Sequence, residues 1–202
     1  MNHPLLSRQS QRDRPALSFL DELALPMARA HEVCGDARRT LASVVAARLE
    51  GPVLWIVPSW MPERLNPEAA LHLFDPARLI FLEPVREEDV LWCMEEVLRA
   101  GVVPLVVADL PAVPGLTSVR RLHLAAETGA EEHGTHPLGL LLTPGDGGAP
   151  GVETRWQMCS DHGAGRRGWL LHRRRARTAP MKTWRVTREN GSFRAHAAAM
   201  AE

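Results

Sequence analysis

AHEVCGDARRTLASVVAARLEGPVLWIV, residues 30–57, reads as a short apolar run, a turn, a helix and a second apolar run. AHEVCG (30–35) and VLWIVPS (53–59) are the strand candidates, with a helix predicted over 40–50 between them. Apolarity in these runs is continuous rather than alternating, which fits strands covered on both faces. The same pattern continues outward. RLIFLEP (78–84), VPLVVADL (103–110) and PLGLLLT (137–143) are further apolar runs, separated by helices predicted over 67–74, 87–100 and 117–128. In 87–100, Val90, Leu91, Met94, Val97 and Leu98 form one apolar stripe and Gly101 marks the stop; in 117–128, Thr117 or Ser118 is the cap and Gly129 the stop. Strands alternating with helices predict an α/β domain with a mainly parallel central sheet flanked by helices.

The ends of the chain read differently. Residues 1–15 are polar and arginine-rich, and a short amphipathic helix is predicted over 17–25, stopped by Pro26, so 1–29 is assigned as an N-terminal arm. PGDGGAPG (144–151) is a turn-rich loop. Beyond it ETRWQMCSD (153–161), GWLLHRRRA (168–176) and KTWRVTREN (182–190) are strand-like and are expected to extend the sheet with antiparallel strands at its C-terminal edge. FRAHAAAMAE is alanine-rich and reads as a frayed helix, so the domain is placed at 30–190 and a tail at 191–202.

The 202 residues carry 24 basic and 24 acidic side chains and are 45% hydrophobic, which suits one globular domain. The zero net charge conceals an asymmetry. Residues 1–150 hold 13 basic and 20 acidic side chains, a net of −7, and residues 151–202 hold 11 and 4, a net of +7. Such a split fits either an anionic partner for the basic end or pairing of the two halves with each other. Cys34, Cys93 and Cys159 form no CxxC pair and read as buried thiols of a reducing compartment. No apolar run approaches the ~20 residues that span a bilayer, and the N-terminus lacks the features of a secretory signal, so a cytoplasmic location is expected. Lys182 is the only lysine, which excludes a GxxxxGK[ST] phosphate loop.

Taken in order, these pieces resemble the RecA-like ATPase core and, within it, the ImuA family of RecA-related proteins encoded with SOS-induced mutagenesis polymerases. The resemblance covers about 30–188. Residues 30–57 look like the strand, phosphate loop, helix and second strand of that core, and VVPLVVADLP looks like its Walker B strand ending in Asp109. LTSVRRLHLAAETG with PLGLLLTPG, ETRWQM and the later W-L-L and W-R-V segments are similar to the ImuA C-terminal half. Where an active member has its glycine- and lysine-bearing loop, this chain has Gly35, Asp36, Ala37, Arg38, Arg39 and Thr40, shorter and without the second glycine. At the end of the second strand, where active members place a water-activating glutamate, it has PSWMPE, with Glu63 offset. The loops corresponding to the DNA-contacting loops of RecA, LPAVPG (110–115) and PGDGGAPG, hold no basic or aromatic residue. Asp109 is expected to be a structural remnant that caps a turn or bonds Thr40. The resemblance thus implies a non-catalytic adaptor in SOS-induced translesion synthesis, without a cofactor. Its implied partners are an ImuB-like Y-family polymerase subunit, an error-prone polymerase subunit and RecA itself. Three other functions stand beside it: a nucleotide-binding or -hydrolysing enzyme using Arg38 or Arg39 in place of lysine, a nucleic-acid-binding protein, and a cell-division inhibitor of the SulA type.

The most informative surface in the sequence is the basic stretch Arg166, Arg167, Arg173, Arg174, Arg175, Arg177, Lys182, Arg185 and Arg188, interleaved with Trp169 and Trp184. Its three readings are nucleic acid, a protein partner and pairing with the acidic half, and self-association is a separate expectation from a RecA-like oligomerisation surface. Strand alternation points Arg173 and Arg175 one way and Arg174 the other. Glu131, Glu132, His133 and His136 hold enough donors for a metal, but in a polar loop without rigid helical spacing they read as solvated. His31 beside Glu32 reads as unremarkable.

Overall fold

The computed structural model describes residues 15–163, 167–189 and 191–198. Their core is a nine-stranded sheet. In chain order the elements are β1 (Ala16–Leu20), β2 (Leu23–Pro26), β3 (Ala30–Cys34), α1 (Arg38–Ala46), β4 (Val53–Ile56), α2 (Pro67–Ala70), a 3-10 turn (Pro76–Arg78), β5 (Leu79–Leu82) and α3 (Glu87–Ala100). Then follow β6 (Leu105–Asp109), α4 (Leu116–His133), β7 (Leu138–Leu142), β8 (Thr154–Ser160), β9 (Gly168–Ala176), β10 (Lys182–Glu189) and β11 (Ser192–Ala197). Strand order across the sheet is β11-β10-β9-β8-β3-β7-β6-β4-β5. From β8 through β5 every neighbouring pair is parallel, and β9, β10 and β11 add an antiparallel edge. The parallel part begins at β8, one strand earlier than the sequence pattern suggests.

The five residues of β3, the four of β4 and the five each of β6 and β7 are all buried, which is why their apolarity runs unbroken. One face is covered by α1 and the β1-β2 hairpin, through Phe19, Leu25, Leu41, Val45, Trp55 and Trp156. On the other face α3 and α4 pack over Ala30, Ile56, Val106, Ala108 and Leu141 through Met94, Leu98, Val119 and Leu122. The layer order is therefore helix, sheet, helix.

The predicted helix over 17–25 is a β-hairpin. Asp21 takes φ 45° in the two-residue connection, a conformation Asp tolerates better than most residues, and its carboxylate accepts from Ala195 N–H (2.6 Å) and Arg194 (3.0 Å) on β11. The backbone bond from Ala195 holds that carboxyl below its ordinary range. The predicted C-terminal helix is likewise strand β11 as far as Ala197, paired with β10. The assignments of 1–14 as an arm and of 199–202 as tail lie outside the described residues.

Helix α3 has the predicted bounds, with Glu87, Glu88 and Asp89 in its first turn, Arg99 in its last and Gly101 at φ 65° as C-cap. Helix α4 runs five residues past its predicted end and stops at Gly134, φ 66°. Gly129 therefore lies inside it and serves packing: a Cβ there would lie 2.2 Å from the Leu98 carbonyl oxygen of α3. Only 67–70 of the predicted 67–74 helix is α-helical.

Candidate functional site

The turn after β3, the start of α1 and the end of β6 converge at the C-terminal end of the parallel strands, where ligands of open α/β sheets bind. The residues here are Gly35, Asp36, Arg38, Arg39, Thr40 and Asp109. Asp109 is fully buried, and its Oδ2 accepts from Arg39 Nε at 2.5 Å, with Arg38 Nε 3.7 Å from Oδ1. Glu63 closes the cluster from outside, 2.9 Å from Arg39 and 3.5 Å from Arg38. The partner of Asp109 is therefore Arg39, not Thr40. Burial pushes the Asp109 carboxyl above its ordinary range against the pull of Arg39 and Arg38. Burial also works against the charge on Arg39, but Asp109 and Glu63 outweigh it and hold the guanidinium protonated.

Three amides of this segment are occupied as well. Gly35 N–H donates to Gly145 O at 3.0 Å, Ala37 N–H to Met158 O at 3.1 Å and Arg38 N–H to Gly35 O at 3.3 Å. A phosphate nest needs such groups pointing at open space, and here they face carbonyls. Gly35 sits at φ 90° with room for no side chain, because a Cβ would meet Met158 O at 2.3 Å. Asp36 faces away from the cluster and accepts from Ser160 N–H at 2.9 Å. Thr40 and Arg39 line a pocket of about 280 Å³ with Arg64, Trp169, Arg188 and Phe193, so the turn and the basic strands do meet.

Beside the turn, Glu32 is fully buried in β3 and organises the loop 143–151. Its carboxylate accepts from Thr143 Oγ1 (2.7 Å), Gly148 N–H (2.7 Å), Ala149 N–H (3.0 Å) and Arg155 Nε. Fully satisfied, this network pins the loop inward. His31, next to it, is fully buried on the opposite face. Its Nδ1 is 2.7 Å from Thr154 Oγ1, which accepts from Trp156 Nε1, and its Nε2 is 2.9 Å from Pro26 O. Desolvation pushes its pKa down to about 4, so the ring is neutral and holds the hairpin to the sheet. Sequence reading passed over both residues; the available signal was two adjacent titratable side chains in a strand otherwise wholly apolar.

The basic strands are less open than their composition implies. Trp169 and Trp184 are only 8% and 7% exposed; the first packs at a tilt against Phe193 and the second against Trp156, so neither ring is free to stack on a base. Arg173 lies over both Trp156 and Trp184, 5.7 and 5.1 Å from their centroids. Arg185 is paired with Asp161 (2.6 Å) and Arg177 with Glu153 (3.4 Å). A β-bulge at Arg174 shifts the register, Trp156 opposing Arg173 and Arg155 opposing Arg175. Arg173 and Arg175 therefore point to opposite faces, contrary to simple alternation. Arg174 and Arg175 are exposed; Arg166 lies outside the described residues.

Glu131, Glu132 and His133 lie in the last turn of α4 rather than in a loop, and with His136 they are exposed. Among the described residues no group of three or more His, Cys, Asp or Glu is placed to hold a metal. Cys34 is buried and its thiol is pushed up to about 12 by desolvation, with Glu32 adding to the effect; Cys93 and Cys159 are half-buried rather than buried. No described helix is long and apolar enough to cross a membrane. No family model and no curated protein matches this chain.

Proposed function

We propose that this protein is a non-catalytic adaptor with a RecA-like core, acting in SOS-induced translesion synthesis by docking polymerase subunits through protein contacts. The observation that carries the reading is the filled turn between β3 and α1. The amides of Gly35, Ala37 and Arg38 are bonded to carbonyls, and Arg38 and Arg39 are committed to Asp109 and Glu63. A triphosphate entering there would have to displace Arg39 from a fully buried carboxylate, leaving that carboxylate unpaired, a cost of several kcal/mol. The convergence of Gly35, Arg39 and Asp109 at one end of the sheet supports the RecA-like part of the reading, since that arrangement is what the resemblance implies.

The partners proposed are an ImuB-like Y-family polymerase subunit and an error-prone polymerase subunit, with RecA as a third. Immobilised full-length protein, its fold checked by circular dichroism, is expected to retain these subunits from its own source. Failure to retain any of them overturns the assignment to this machinery. Steady turnover of ATP that disappears with Asp109→Ala overturns the non-catalytic part.

A further inference from the structure

A groove of about 680 Å³ runs along the outer side of α4, away from the filled turn. One wall is a stripe of that helix, Leu116, Arg120 and Leu124, spaced four residues apart and therefore on one side. The opposite wall is Arg175 at the end of β9, turned to this face by the bulge, with Arg177 just beyond. The floor is His123, whose Nδ1 accepts from Ala30 N–H (3.3 Å) and whose Nε2–H donates to Gly151 O (3.1 Å). Both ring nitrogens are thus used by the neutral imidazole, and burial lowers its pKa further, so the floor is rigid and uncharged.

The charges of the groove do not balance. Its carboxylates are already neutralised, Glu127 by the buried Arg29 and Glu153 by Arg29 (3.6 Å) and Arg177 (3.4 Å). Arg120 and Arg175 form no hydrogen bond or ion pair with any described residue. Leu116 at 39% and Leu124 at 62% exposure stand one turn to either side of Arg120 and line the same groove as Arg175. A nucleic acid is a poor match, because no Phe, Tyr or Trp ring lines the groove for stacking and a phosphodiester backbone offers no apolar group to cover the exposed Leu116 and Leu124. Guanidinium groups interleaved with exposed leucines instead match carboxylates interleaved with aliphatic side chains.

We infer that this groove is a docking site for an acidic, leucine-bearing segment of a protein partner, its carboxylates held by Arg120 and Arg175 and its leucines by Leu116 and Leu124, one turn to either side of Arg120. The inference deepens the adaptor reading and rests on it for the ligand being a protein. It moves the docking surface from the tryptophan-bearing strands, whose rings are buried, to the helical face.

Fluorescence anisotropy on the full chain tests it, with a labelled peptide bearing leucines and glutamates on one helical face. Saturable binding is expected, weakened at least about tenfold by Arg120→Glu and by Leu124→Asp and unchanged by Arg86→Glu just before α3. Both groove positions are exposed, so these variants are expected to keep the wild-type circular dichroism and melting temperature. Absence of saturable binding overturns the inference, as does equal binding of a peptide with serines in place of the leucines. An oligonucleotide that binds more tightly and is lost with Arg120→Glu overturns it in favour of nucleic acid. A concentration-dependent dimer abolished by the same substitution overturns it in favour of a second copy. If wild-type protein retains the polymerase subunits and both variants still do, the groove assignment fails while the adaptor reading survives. Peptide binding without retention of the subunits is the reverse case.

Discussion

Arg39 decides the state of the turn, because it is the closest counter-charge to a carboxylate with no access to water. Removing one partner of such a pair leaves a buried charge uncompensated, at a cost of about 3–5 kcal/mol, whereas removing both in favour of apolar groups is often neutral. Arg39→Met is accordingly expected to destabilise the protein by ~3 kcal/mol in urea unfolding, Arg38 retaining part of the compensation from 3.7 Å. Arg39→Met combined with Asp109→Leu is expected to recover most of that loss. His31 makes a second residue-level prediction. The unfolded chain takes up a proton at the ordinary value of 6.5, but the buried ring resists protonation down to about 4. The contribution of His31 is thus fully present above pH 6.5 and is lost as pH falls toward 4, by up to ~3 kcal/mol. A His31→Gln protein is expected to show a flatter stability profile over that window; an unchanged slope contradicts the assignment.

At the scale of elements, the close crossing of α3 and α4 depends on Gly129. An alanine at an exposed helix interior position normally gains about 1 kcal/mol over glycine. Here its Cβ would press on Leu98 O, so Gly129→Ala is expected to lose ~2 kcal/mol instead, readable as a lower denaturation midpoint. The buried parallel strands and α3 were legible in the sequence, since an unbroken apolar run and a stripe ended by Gly101 are local signals. The β1-β2 hairpin and β11 were not. Their local composition, leucine-rich in one case and alanine-rich in the other, favours helix, and the deciding contacts come from far along the chain. Asp21 bonded to Ala195 and Phe19 packed against Trp156 join segments more than a hundred residues apart. The bulge at Arg174 was equally invisible, because a single extra residue leaves no mark on composition.

At the scale of the molecule, the opposed charges of the two halves are only partly reconciled by internal pairing. Arg155 with Glu32 and Arg194 with Asp21 join basic residues of the second part to acids of the first. Arg174 and Arg175 stay exposed and form no ion pair with a described residue, and Arg120 of the first part lines the same groove as Arg175. The candidate site was half legible: that Asp109 would meet the segment Gly35 to Thr40 was implied by the resemblance to a RecA-like core. The identity of the Asp109 partner was not, because three side chains within reach could have filled that role. The central claim is that the space a nucleotide would need is already filled by the protein's own charges. A ligand bound only by the native state at a hundred times its Kd stabilises that state by ~2.7 kcal/mol, enough to raise Tm by several degrees in a chain of this size. The most direct test is therefore the Tm of the wild-type protein across a titration of magnesium and ATP. An unchanged Tm at every nucleotide concentration is the predicted result. A Tm that climbs with nucleotide would contradict the account.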